Sequence, residues 1–317
     1  MPNCSRRQWL QTASGGMGAI ALAGLLAEEA RCQATDPMAP RSGHFPAKAD
    51  RVIFLYSTGG VSQIDTFDPK PELTRRHGQT ITATRWLNKP GKFERYLIQS
   101  RFGFEKRGKS GIPTSTLFPH IGSVIDELCV LNAMVADSDG HDKGTLAAHT
   151  GSAQFARPSL GSWVSYGLGT LNRNLPSFMV LAPKAPYAGA QTWGADFLPG
   201  CHQGTHVVPG PVPLPHARRP ASAGSTQGLE LGLLARLNQR HQAEHAGDQS
   251  LEARIRSFET AFGMQSAAPE AFDLAGETVE TLRLYGIEPG TTSGFGWQCL
   301  VARRLAERGV RFLSRLR

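Results

Sequence analysis

Apolar and polar positions along the chain sort into short strand-like runs and longer helix-like stripes. Val52 to Ser57 is a brief, unbroken apolar run, the pattern of a central strand covered on both faces. Leu128 to Val135 (LCVLNAMV) reads as a second buried strand, and Phe178 to Leu181 as a third. Between the first two, Pro119 suits the first turn of a helix that runs to about Glu127. A helix is expected around Thr145 to His149. Pro158-Ser159 opens another through Trp163 and Tyr166, which the glycines at 167 and 169 stop. Residues 182–228 hold eight prolines and are loop-dominated, too long for an ordinary connection. Helical patterns then return. Leu229 to His245 is one, and Leu251, Ile255, Phe258 and Phe262 mark one face of the next. Glu277 to Tyr285 is closed by Gly286. Trp297 to Arg308 ends before Gly309, and Val310 to Leu313 starts a further strand. Strands alternating with helices predict an α/β fold, with a mostly parallel sheet flanked by helices.

Composition supports this picture. A chain of 317 residues, 40% hydrophobic and 19% charged, can bury a sizeable core and is not a disordered sequence. It shows no internal repeat. Its first residues carry a different message. Ser5-Arg6-Arg7-Gln8-Trp9-Leu10 resembles the twin-arginine export motif, with Trp9 where Phe is usual. The apolar stretch that follows, Ala13 to Ala27, is too short and too rich in glycine to span a membrane. Residues 1–34 therefore read as a signal peptide, with cleavage near Cys32-Gln33-Ala34, and 35–50 as a Pro-rich linker to a domain at 51–317. The twin-arginine export machinery is the implied partner, and the periplasm, cell surface or extracellular space the destination. Two of the five cysteines lie in the leader. Cys129, Cys201 and Cys299 are odd in number and widely spaced, which excludes a disulfide framework, and no CxxC pair suggests zinc.

The formal net charge is +8, and its distribution matters more than its size. Residues 75–109 contain ten Lys or Arg against Glu94 and Glu105, interleaved with Trp86, Phe93, Tyr96, Phe102 and Phe104. Such a segment either binds an anionic partner, for instance a sulfated or phosphorylated glycan, or is a solvated surface insertion. It matches no nucleic-acid-binding motif. The arginines at 303, 304, 308, 311, 315 and 317 read as the exposed face of the last helix and its extension.

Two loops could carry chemistry. Gly59-Gly60-Val61-Ser62-Gln63-Ile64-Asp65 follows the first strand, where α/β sheets gather ligands. Its glycines allow close approach to the backbone and an anion-binding nest. Asp65 and Asp68 offer hard oxygen ligands for a divalent metal such as zinc, calcium or magnesium. Ser62 is a candidate nucleophile or anion contact. The alternative is a simple turn, with Asp65 or Asp68 capping the next helix. The second loop, Asp137 to Asp142, precedes His149-Thr150-Gly151. His141 and His149 are eight residues apart, so one helix can present both on a similar face, as metal ligands or acid–base groups. A polar surface loop with one satisfied histidine is the alternative here. Neither motif is specific alone; their shared location after successive strands favours function.

The leader, VIFLYSTGGVSQIDTFDPKPEL, PSLGSWVSYGLG, NLPSFMVL, FLPGCHQGT and QCLVARRLAERGVRF together resemble the domain of unknown function 1501 family. That family is grouped with the alkaline-phosphatase and sulfatase superfamily. The resemblance implies an alkaline-phosphatase-like α/β core with a metal site at the strand ends, and hydrolysis or transfer of phosphate or sulfate esters. A non-catalytic surface or glycan-binding protein on the same fold is the competing expectation. The superfamily usually places a metal-binding Asp immediately after the first strand, where this chain has Gly59 and Gly60. Ala147 to Gly151 is similar to the sulfatase helix that follows the nucleophile, yet no Cys-x-Pro-x-Arg signature occurs, which argues against a formylglycine sulfatase. Relatives continue beyond the point matching Arg317, so the chain is expected to be the N-terminal part of an incomplete domain, inactive as it stands. Apolar faces of the helices from 229 onward should then lie exposed.

Overall fold

The computed structural model describes residues 36–86, 89–138, 140–215, 217, 226–245 and 248–316; the expected leader lies outside these, as do Asp139 and Arg317. From the amino end come β1 (Val52–Tyr56), α1 (Pro71–Arg75) and two hairpins, β2 (Thr80–Trp86) with β3 (Lys89–Tyr96) and β4 (Phe104–Arg107) with β5 (Ile112–Ser115). Then follow α2 (Pro119–Ser123), α3 (His141–Thr150), α4 (Leu160–Leu168), β6 (Phe178–Leu181) and β7 (Thr205–Val207). The last elements are α5 (Gln227–Glu244), α6 (Gln249–Phe272), α7 (Val279–Leu284), α8 (Gly294–Glu307) and β8 (Phe312–Leu316).

The protein is an α/β fold. Its main sheet has the order β1-β8-β6-β7, and every pairing in it is parallel. Phe312 of β8 lies opposite Val52 on one side and Phe178 on the other. All carboxyl ends therefore share one edge, marked by Tyr56, Leu316 and Leu181. On one face, Met179, Leu181 and Leu313 pack with Trp297, Val301 and Leu305 of α8 and with Ala268 and Ala271 of α6. On the other, Phe178, Val180, Phe312 and Leu316 meet Trp193 and Val164 of α4. Burying each of these large side chains contributes about 1.5–3 kcal/mol, and this double cover is what a parallel sheet requires. Ser159 caps α4 by accepting the Ser162 N–H, and Gly169 ends it at a φ of 68°. A Cβ at Gly169 would lie 2.0 Å from the Ala39 carbonyl oxygen, so only glycine fits. That contact belongs to the segment read as a linker. Its first residues are tied down: Thr170 N–H donates to Met38 O at 2.9 Å, and Asp36 pairs with Arg256 at 2.9 Å.

Several expectations are corrected. The run at 52–57 forms β1, but as an edge strand rather than a central one. Only β8 pairs with it among the described residues, so Val52, Ile53 and Leu55 stay exposed. Residues 128–135 form no strand. They follow a 3-10 turn at Ile125–Glu127 irregularly, with Leu131, Met134 and Val135 exposed. An apolar run becomes a strand only where a neighbour accepts its backbone hydrogen bonds, and none is provided among the described residues. The basic stretch at 75–109 is built mainly of hairpin strands, docked where Ser115 N–H reaches Thr66 O at 2.9 Å. Nor are the late arginines an exposed face. Arg303 and Arg304 clasp Glu277, Arg311 is buried with its Nε donating to Gly169 O, and Arg315 is buried with its Nε donating to Gln298 Oε1. The exposed apolar faces expected from 229 onward occur on α5, which has no buried residue and turns Leu229, Leu233 and Leu237 to solvent, but not on α8, whose Trp297, Val301 and Leu305 are buried.

Candidate functional site

The carboxyl edge of β1 leads into Gly59, whose φ of 74° turns the chain sharply. A Cβ at Gly59 would touch the His141 ring, 3.7 Å from Cε1. His141 is the first residue of α3, exposed, and stacked on Tyr187 with ring centroids 5.3 Å apart. Tyr187 comes from the loop after β6. Three separate segments thus meet at one corner of the sheet edge: the β1 loop, the amino end of α3 and the β6 loop. The sequence pointed to two of them. Tyr187 was missed because it lies in the Pro-rich stretch without a motif, and the long connection itself was the available signal.

The rest of the opening loop turns elsewhere. Gln63–Asp65 forms a single 3-10 turn, with Ser62 as its backbone cap. The half-buried Asp65 accepts hydrogen bonds from the Ser100 and Ser62 hydroxyls, and these hold its carboxyl below the ordinary range despite some desolvation. Asp68 is engaged by Lys70 at 2.7 Å. Neither aspartate caps a helix, since α1 begins after Lys70. Both carboxylates are therefore already partnered.

His149 occupies a different environment from His141. It is 4% exposed, its ring packed edge-on against Phe54 and Tyr56 of β1 at 5.3 and 4.7 Å. Its Nδ1 lies 2.8 Å from the Thr145 carbonyl oxygen, which can only accept, so Nδ1 carries the proton. Nε2 is then a buried acceptor with no partner among the described residues. Burial pushes the pKa of His149 down, partly opposed by the Thr145 bond, and keeps the ring neutral. Tyr56 completes the cluster by sharing a hydrogen bond with Thr145 Oγ1 at 3.0 Å. Helix α3 does carry both histidines, but eight residues at about 1.5 Å rise put them roughly 12 Å apart along its axis. One faces the strand-end corner and the other the side of β1. Among the described residues, no three of Asp65, Asp68, His141 and His149 bring ligand atoms within 4.8 Å of one another.

Among the described residues, no helix is long and apolar enough to cross a membrane. Comparison with curated proteins and with solved structures gives no match. The family described as protein of unknown function (DUF1501) matches residues 49–314, a span that includes the β1 loop, α3 and the whole parallel sheet save its last residues. The chain belongs to the DUF1501 family.

Proposed function

We propose that the protein is exported and that the corner formed by Gly59, His141 and Tyr187 binds and acts on an anionic ester of phosphate or sulfate. The juxtaposition of these three residues at the carboxyl edge of the sheet carries the reading, because α/β folds gather ligands there. An anion at this corner meets the amino end of α3, where unpaired N–H groups and the helix dipole favour negative charge. The His141 imidazole is exposed beside it, placed to donate a hydrogen bond or pass a proton to a leaving oxygen. Tyr187 holds that ring in place by stacking. The Ser62 hydroxyl is committed to Asp65, and a carboxylate held this firmly in its charged form is a weak base. That bond uses its one O–H donor, so Ser62 is assigned neither the nucleophile's role nor an anion contact here. This chemistry is that of the alkaline-phosphatase and sulfatase superfamily. A divalent ion, whether zinc, calcium or magnesium, needs converging donors. Asp65, Asp68, His141 and His149 do not supply them as a set, so no step is assigned to a metal.

The test is binding of inorganic phosphate and of sulfate to the whole chain, followed by turnover of aryl phosphates and sulfates. His141→Ala should weaken anion binding by about tenfold or more, the cost of one charge-assisted contact. Anion binding that survives His141→Ala unchanged, or no binding at all, would sink the proposal.

A second reading is supported by the hairpins. Lys92, Arg101, Lys106 and Lys109 are exposed there, beside exposed Tyr96 and Phe102. On this reading the protein is a non-catalytic binder of sulfated or phosphorylated glycan. Affinity for a sulfated polymer should then fall steeply between low and physiological salt, as the screening length shortens from about 30 Å to about 8 Å. Binding that ignores salt excludes it.

A further inference from the structure

Far along the chain from that corner, the carboxyl end of α5 gathers His241, Glu244 and His245, each able to place one ligand atom within 4.8 Å of the others. We propose that these three residues form a binding site for a borderline transition-metal dication, zinc being the reference case. Three observations converge on it. First, the spacing i, i+3, i+4 sets all three side chains on one strip of the helix surface, and the two imidazole rings lie 4.2 Å apart. Second, the tautomer of His245 is fixed. Its Nδ1 lies 3.0 Å from the His241 carbonyl oxygen, which can only accept, so Nδ1 holds the proton and Nε2 presents its lone pair. A ligating histidine whose other nitrogen donates to a backbone carbonyl is the usual arrangement in metal sites. Third, the site sits on the last turn of an eighteen-residue helix, where the carbonyl ends of the dipole favour a cation.

The donor set decides which ion. Two imidazoles and one carboxylate are the protein ligands of several zinc sites, and they leave a fourth position to water. Imidazole suits zinc, copper and nickel, whereas magnesium and calcium require oxygen ligands. All three side chains are exposed, so they reach an ion from solvent without a change of fold. The competing partner is Arg240, which pairs with Glu244 at 3.3 Å. An exposed pair of this kind is worth at most about 1 kcal/mol and yields readily to a dication. Binding also has a structural consequence. The His245 carbonyl accepts the Asp248 N–H at 3.2 Å, and the Asp248 side chain caps α6 through Ser250 and Leu251. An ion on His245 therefore fastens the corner between α5 and α6.

This inference is independent of the anion-binding proposal, because it uses none of the same residues. The experiment is calorimetric titration of the tag-free 317-residue chain with zinc at neutral pH, with magnesium as the control ion. The expected result is a one-to-one zinc site, no magnesium site, and a rise in melting temperature with zinc. His241→Ala and His245→Ala should each weaken zinc binding by about tenfold or more, while Glu244→Gln weakens it less. The double variant should lose the thermal shift. His120→Ala, elsewhere on the surface, should change nothing. Zinc binding that persists in the double variant, or no site in the parent chain, would overturn the proposal.

Discussion

Strands β8 and β1 are hydrogen-bonded neighbours with opposite surroundings. Every residue of β8 is buried, including Ser314 and Arg315, whereas β1 leaves Val52, Ile53 and Leu55 open to solvent. Both are five-residue strands in parallel register. The difference is cover: α8 and α6 seal one face of β8 and β6, and α4 seals the other. Beside β1 the cover thins to Phe54 and Tyr56 against α3. Stability is therefore concentrated at the middle of the sheet. At its β1 edge Gly59 and His141 meet, and His149 keeps a buried nitrogen with no partner among the described residues.

The largest expected effect tests that division directly. Leu305 is fully buried between α8 and the sheet, so Leu305→Ala should cost about 2–5 kcal/mol through lost burial and the cavity left behind. Leu55 is 54% exposed, and Leu55→Ala should cost about 0.5 kcal/mol or less. Denaturant unfolding of the two variants measures both. Equal losses would mean that β1 is covered in solution by something that buries Leu55.

Much of the central architecture was legible in the sequence, and for a physical reason. Phe178 to Leu181 is buried on both faces, so its continuous apolar run could mean little else, and Ser159, Gly286 and Gly309 marked helix ends by their own chemistry. Residues 128–135 carried the same apolar signal without a partner strand, and periodicity cannot register a missing neighbour. The hairpins were hidden because exposed strands rich in Lys and Arg read as surface. Arg311 and Arg315 misled for the converse reason, since their burial depends on Gly169 and Gln298, distant in sequence. At the candidate site, sequence singled out Gly59 and His141 but not the stacking of His141 on Tyr187. Contacts between residues remote in sequence leave no local trace.

A smaller effect comes from protons. His202 lies in the protected region, hydrogen-bonded to Ser165 at 2.9 Å and edge-on to Tyr166. Burial, reinforced by the nearby Arg41 charge, lowers its pKa from 6.5 to about 4. The unfolded chain therefore takes up this proton near pH 6.5 and the folded chain only near pH 4. Stability contributed by the neutral ring is complete above about pH 6.5 and is lost as pH falls toward 4, by up to roughly 3 kcal/mol. His149, also shifted down by burial, adds in the same direction. Thermal melts between pH 7 and 4 should show a shallower decline for His202→Gln than for the parent. Identical slopes would show that His202 is solvated, and that the protected region is narrower than the burial of β6 and β8 implies.

The smallest effect belongs to the opening loop. The ion pair of Asp68 with Lys70 joins a carboxylate to a half-exposed ammonium, so water and salt screen it. Asp68→Asn should cost about 1 kcal/mol or less, and even that difference should vanish in 1 M salt, where screening acts within about 3 Å. Melting the variant and the parent at low and high salt measures this. The small value follows from the same contrast that separates β8 from β1: Asp68 is held by a solvated pair, while the packing of the loop falls to Thr66 and Phe67. A salt-insensitive loss of several kcal/mol would place Asp68 in a tightly packed network. The loop after β1 would then be part of the structural core, and its charged residues would have to be explained by folding rather than by ligand binding.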